Sequence, residues 1–238
     1  MSDLIEQLMA NPLAAVALTL AAYFTGDRLF RALRAPAWCP PLLVAALLLA
    51  TALWLFGIDY ADYRAGAGWM TLLLGPATVA LGLPLYQQMG KIRELWRPLL
   101  LCLPIAATMA ALYAVGIAWV MGAPSEILAS LAPKSVTAPI AIGITERLGG
   151  SVALLMGGLL VTGVAAIGCV SLVARWLDIQ DERLLGLALG INGHALGTVR
   201  AFEISPTAGA FSSLGMSLTG ILTALLLPLA WRLPGLVG

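Results

Sequence analysis

Pro133-Lys134-Ser135-Val136-Thr137-Ala138-Pro139 is a polar stretch held between two prolines, in a chain that otherwise consists of apolar runs long enough to cross a bilayer. In lipid, every backbone donor and acceptor has to be satisfied inside the protein. An irregular stretch at membrane depth therefore survives only against protein or a water-filled cavity. The motif predicts a broken or re-entrant helix that restarts at Pro139, at a place where something polar is handled.

Composition sets the frame around it. Hydrophobic residues make up 61% of the chain and charged residues 11%, with a mean hydropathy of +0.95. Soluble domains sit near ~45–50% apolar and ~25% charged. The chain reads as an all-α integral membrane protein and one polytopic domain over residues 1–238. A net charge of +1 argues against nucleic acid, which wants a clustered basic surface. Cys39, Cys102 and Cys169 are widely spaced, with no CxxC and no metal-ligand spacing. They read as small apolar core residues, and no metal or cofactor is expected. The acidic start, with Asp3 and Glu6, does not read as a cleaved signal peptide.

With ~20 apolar residues per crossing, the clear segments are Pro12 to Phe24, Pro41 to Phe56, Trp69 to Tyr86, Pro98 to Met121, Ser151 to Trp176 and Phe211 to Trp231. Ser125 to Leu148 and Leu184 to Phe202 are less regular, which gives seven or eight segments. Arg28, Arg31 and Arg34 follow the first segment, and Lys91, Arg93 and Arg97 follow the third. These basic loops are expected on the cytoplasmic side. Pro76 predicts a kink in the third segment. A faint internal repeat aligns Thr78 through Gly90 with Thr137 through Gly149. Paired Gly/Pro-interrupted segments of this kind point to a transporter's midplane site.

Two constellations carry the candidate chemistry. In the first, Lys134, Ser135, Thr137 and Pro139 surround a helix start, with Thr78 as the counterpart in the repeat. Free amides and partial positive charge at a helix start suit an anion. Ser135 or Thr137 is expected to cap those amides, and Lys134 adds a full charge. The plain alternative has Lys134 snorkelling to the interface while the hydroxyls cap a loop. In the second, Gly186/Gly190 and Gly193/Gly197 bring helices close around Asn192, His194, Thr198, Arg200 and Glu203. His194 is the only histidine in the chain, and its alternatives are a core hydrogen bond or a place on a substrate or proton path. Arg200 and Glu203 stand three apart and pair on one helical face. Arg200 is also able to hold a carboxylate with two parallel bonds. Glu146 and Arg147 read as interfacial. No nucleophile elbow, HExxH, phosphate-binding loop or dinucleotide fingerprint occurs, so an enzyme is not expected.

At these residues the chain resembles the LrgB/CidB family of bacterial inner-membrane proteins. The resemblance runs through Gly57-Ile58-Asp59-Tyr60, Leu74-Gly75-Pro76-Ala77-Thr78, Leu131-Ala132-Pro133-Lys134-Ser135-Val136-Thr137 and Pro139-Ile140-Ala141. Its most specific block is Gly186 through His194, Gly197-Thr198, Arg200-Ala201, Glu203, Gly209-Ala210 and Ser213. Ala138 and Gly143 depart from it, since many relatives carry a polar or acidic residue there. The resemblance implies a multi-pass protein of the bacterial inner membrane, with a small LrgA-like membrane partner. It also implies either holin/antiholin-like control of murein hydrolase export and autolysis, or exchange of small acids as in plastid relatives that handle glycolate and glycerate. The expectation is a secondary transporter of small monocarboxylates, acting as a homo-oligomer. Its carboxylate site lies at Pro139, and His194 or Glu203 is the proton-coupling candidate. The alternative is the antiholin-like regulator.

Overall fold

A computed structural model describes residues 11–33, 40–80, 82–87 and 89–232. Among them every regular element is a helix, and four helices are long and apolar enough to cross a membrane: Pro12–Ala32, Trp96–Val120, Val152–Trp176 and Pro206–Ala230. Pro41–Phe56 is a shorter apolar helix. Large hydrophobic side chains cover the outer faces (Leu101, Ile105, Ile117 and Val161 are all exposed), as lipid rather than water requires. The protein is an all-α integral membrane protein. Arg34, Cys39, Asp3 and Glu6 lie outside the described residues, as does the side chain of Lys91.

The chain forms two compact units, Met1–Ala80 and Leu81–Gly238. The first holds α1 (Pro12–Ala32), α2 (Pro41–Phe56), α3 (Tyr60–Leu72) and α4 (Leu74–Ala80). Asn11 caps α1, its side-chain oxygen accepting from the Leu13 N–H at 3.0 Å. Gly26 lets α1 approach α2 closely: a Cβ there would stand 2.8 Å from the Ala45 backbone nitrogen. Ala15, Leu53, Ile58 and Tyr63 form the small core, with the Thr19 and Tyr63 hydroxyls 2.7 Å apart. Gly57, at φ 63°, ends α2 so that the Ile58 N–H reaches the Leu53 carbonyl. The expected Trp69–Tyr86 segment is divided, with its first break at Leu73. Pro76 has no N–H to continue the ladder, and the chain tightens there through a Leu73 N–H to Met70 C=O bond before restarting as α4.

The second unit holds α5 (Gly82–Gln87), α6 (Met89–Glu94), α7 (Trp96–Val120), α8 (Ser125–Leu131), α9 (Ala138–Leu148), α10 (Val152–Trp176), α11 (Glu182–Ile204) and α12 (Pro206–Ala230). Leu99, Leu103, Ala107, Ala110, Ala114 and Ala118 are the buried face of α7. Small residues at this spacing let membrane helices pack closely. Leu99 and Leu103 meet Leu214 and Leu218, while Ala107 and Ala111 face Leu222 and Leu226. The two helices therefore run in the same direction.

Leu184–Phe202, read from sequence as an irregular crossing, folds back on itself. His194 has φ 41° and ψ −129°, and three contacts show the reversal beyond it. A Cβ on Gly197 would run into the Leu189 carbonyl. Thr198 meets Ser212, which also packs on Gly190. The Ser205 hydroxyl donates to Glu182 Oε2 at 2.6 Å, tying the end of α11 to its own start. The first arm, Glu182 to Gly193, is about 18 Å long at 1.5 Å per residue, just over half of a ~30 Å hydrocarbon core. This is a re-entrant hairpin, and it packs on α12 through Gly186 and Gly190, where any Cβ would strike the Ala208 and Ser212 carbonyls.

The Pro133–Pro139 region makes a second excursion from the other end of α10. Ser130 donates to the Glu126 carbonyl at 2.6 Å and accepts from the Ser151 N–H at 2.7 Å. A Cβ on Gly150 would stand 2.8 Å from the Ser130 nitrogen. The chain thus enters and returns beside the start of α10. Between these feet, Val136 and Ala141 pack on Leu155 and Leu159.

Candidate functional site

Both tips come to the middle of α10. Lys134 sits beside Gly158, where an added Cβ would be 3.8 Å from the Lys134 Cβ. One residue further along α10, the Leu159 carbonyl lies 2.9 Å from His194 Nε2. A carbonyl only accepts, so Nε2 carries the hydrogen. Gly163 opens space for the imidazole, its missing Cβ lying 3.2 Å from His194 Cε1. His194 is 5% exposed and keeps its side chain at a backbone angle that favours glycine, a strain of the kind that gathers at functional positions.

Lys134 is the charged member of the site. Its Nζ lies 3.3 Å from the Tyr113 hydroxyl and 3.3 Å from the Ser135 hydroxyl, and 4.6 Å from the centre of the Tyr113 ring. Among the described residues no carboxylate pairs with it: the ion pairs are Arg31–Asp27, Arg183–Asp181 and Arg200–Glu203. A cavity of ≈ 470 Å³ opens beside it, with Tyr113, Lys134, Thr162 and Asn192 at one end. Lys134 and Asn192, one from each sequence constellation, thus line one space.

The remaining predicted residues are placed as follows. Ser135 and Thr137 are buried, and Thr137 stands at the head of α9. The expected side-chain cap is not made. Pro139 has no N–H to offer, and the Thr137 carbonyl, not its hydroxyl, takes the Ile140 and Ala141 N–H groups. Pro139 itself is exposed. Asn192 donates to the Ala188 carbonyl at 3.0 Å. Thr198 donates to the His194 carbonyl at 2.8 Å and lies 3.0 Å from the Ser212 hydroxyl, so it braces the tip. Arg200 and Glu203 pair at 2.7 Å on the returning arm, and neither lines the cavity. Thr78 falls in α4 of the first unit, and its side chain lies outside the described residues. Glu146 and Arg147 are exposed at the end of α9, before Gly149 at φ 75°.

Cys102 and Cys169 are exposed instead of forming core. An apolar setting in the sequence does not imply burial in a membrane protein, whose outer face is itself apolar, and Cys169 lines the cavity beside Lys134. Sequence reading missed Tyr113, Thr162 and Ser130. A hydroxyl in a run of Ala and Val is the signal that marks the first two. Only the phase of α7 and α10 shows which way they point. No cluster of three or more His, Cys, Asp or Glu suited to a metal occurs among the described residues.

The model of the LrgB-like family matches residues 19–233. A Haemophilus influenzae protein, named only as uncharacterized, is 37% identical over 190 residues, 80% of this chain and 82% of its own. YxaC of Bacillus subtilis is 34% identical over 90% of this chain and 93% of its own. An antiholin-like protein LrgB of Bacillus cereus is 26% identical over 92% and 95%. No solved structure matches.

Proposed function

The chain belongs to the LrgB-like family, and from that premise we propose a secondary transporter of small monocarboxylates of the glycolate, glycerate, pyruvate or lactate kind. The observation that carries this reading is the Lys134 ammonium, unpaired by any described carboxylate and set at the tip of a broken helix beside a cavity. An intramembrane charge without a partner is costly, and an organic anion is the partner that relieves it. The substrate carboxylate sits on Lys134, with the Ser135 hydroxyl and the Asn192 amide beside it. Thr137 and Thr198 hold the two tips, and His194 or Glu203 exchanges the proton. Arg200 holds the base of the returning arm. The whole chain works as one polytopic domain, a homo-oligomer in the bacterial inner membrane. Movement of the two tips against α10 provides alternating access.

A second reading has its own support. The Bacillus cereus relatives bear the name antiholin-like protein LrgB, which favours an antiholin-like regulator; we read its role here as acting on murein hydrolase export with a small LrgA-like partner. The comparisons favour this reading, whereas the site geometry favours transport.

Uptake of labelled pyruvate and glycolate into proteoliposomes separates them. Transport predicts saturable uptake that Lys134→Gln reduces at least tenfold. Bound acid with no flux under any gradient, or large unselective leakage unaffected by Lys134→Gln, would overturn transport in favour of the regulator.

A further inference from the structure

The cavity beside Lys134 is far larger than a two- or three-carbon acid. Its ≈ 470 Å³ falls in the ~300–1,000 Å³ class that encloses drug-sized ligands. Its chemistry is also uneven. The polar groups gather at the tip end, where Lys134, Tyr113, Thr162 and Asn192 stand. From Val161 to Ala174 along α10, about 20 Å at 1.5 Å per residue, the facing wall passes through Ala188 to Leu184 and becomes wholly apolar. The lane opens to the outer face at Val161, Val173 and Leu184, so a small acid bound at Lys134 would leave most of it to lipid, whereas an alkyl tail joined to that acid would fill it. A lone cation at one end and a hydrocarbon wall along the rest are complementary to one kind of molecule.

We propose that this cavity binds a free carboxylic acid with a single alkyl tail, the carboxylate on Lys134 and the tail lying between α10 and the first arm of α11. The inference rests on Lys134 holding an organic carboxylate, and it extends the ligand from small acids to amphipathic ones of roughly octanoate length. Cys169 provides the reporter. It lines the same lane two helical turns beyond Thr162, about 10 Å from the polar end. A tail covers it, and acetate at Lys134 does not reach it.

The test uses the full chain in proteoliposomes, with Cys39 and Cys102 changed to Ser so that Cys169 is the only thiol. Maleimide labelling is followed in the presence of acetate, butyrate, octanoate, dodecanoate, octanol or octylammonium, with melting curves to confirm that each variant is folded. Octanoate is expected to slow labelling at least tenfold, and acetate is expected to leave it unchanged. The half-protecting concentration should fall about fourfold for each methylene added between butyrate and octanoate. Lys134→Gln should abolish protection. Ala174→Phe, about 18 Å from Thr162 and past the end of an octanoate tail, should weaken protection by dodecanoate while sparing octanoate and pyruvate uptake. Equal protection by octanol or octylammonium would overturn the proposal, because the head would then play no part. Octanoate that inhibits pyruvate uptake while Cys169 stays fully reactive would also overturn it, and would leave the carboxylate site standing. Absence of pyruvate uptake would remove the transport reading alone, since protection of Cys169 that depends on Lys134 still decides the occupant of the lane.

Discussion

The two re-entrant excursions reach the same stretch of α10 and are built on opposite principles. The Pro133–Pro139 excursion is turned by prolines and carries a cation whose nearest partners are the hydroxyls of Tyr113 and Ser135. The α11 hairpin is lined by glycines, and its polar side chains near the tip are engaged within the protein. Asn192 bonds to Ala188, His194 to Leu159, and Thr198 to the His194 carbonyl and Ser212. One excursion leaves a charge open to a ligand, while the other commits most of its polar groups to holding its own shape and offers the cavity only Asn192. Function is expected to depend most on the first, and folding on the second.

The most damaging test of that division is Gly190→Val. Its branched side chain would be driven into the Ser212 carbonyl, and neither helix backbone can yield cheaply in a close-packed interface. Loss of folded, monodisperse protein on size-exclusion chromatography is expected. A normally folded variant would break the comparison, since the hairpin would then not be the rigid partner. Next comes Lys134→Gln, which should cost at least tenfold in saturable uptake with an unchanged melting temperature. A large fall in stability would move Lys134 from ligand binding to scaffold.

His194 sharpens the contrast, because His194→Gly and His194→Ala both remove the imidazole and its bond to Leu159. Only glycine relaxes at φ 41°. His194→Gly should be more stable than His194→Ala by about 1–2 kcal/mol, read from paired denaturation curves, while uptake is impaired in both. Equal stability would mean the tip is unstrained. Ser130→Ala should cost about 1 kcal/mol, because its hydroxyl joins Glu126 to Ser151 at the feet of the first excursion.

The smallest effect is electrostatic and lies outside the membrane spans, at the start of α11. Hydrogen bonding from the Arg183 side chain, and then from its backbone N–H, pulls the Asp181 carboxyl from 3.8 down to about 2. A depressed carboxyl stabilises the fold above its unfolded value, and the contribution is lost as pH falls through about 2. Asp181→Asn should therefore lower the melting temperature slightly at neutral pH and narrow its fall on acidification. The Arg183 and Asp181 side chains are 42% and 35% exposed, so solvent screens the pair and the effect is small.

The sequence made the first excursion legible because two prolines six residues apart bracket a cation and two hydroxyls; a lone proline is weaker evidence, since Pro104 and Pro228 are carried inside α7 and α12. The Arg200–Glu203 pair was equally readable from its three-residue spacing. The α11 hairpin was hidden because its turn falls at a histidine, and no local rule places one at φ 41°. Its glycines declared close packing without saying that Gly197 packs against the same helix. The broad frame of an apolar, all-helical chain followed from composition. The cavity did not, since Tyr113 and Thr162 reach it only through the rotational phase of helices set by packing on α12 and α11.

The bond between Ser205 and Glu182 has a consequence for how the protein is made. Both feet of α11 remain on one face of the membrane, so the chain from residue 182 to 205 carries no soluble loop that must be exported. The insertion machinery need only release it sideways into lipid together with α12, whose backbone shields its glycine face. Unaccompanied, the same stretch would present unpaired polar groups to hydrocarbon. A nascent chain truncated before α12 is therefore predicted to be a substrate for membrane quality control, and one that includes α12 is predicted to escape it.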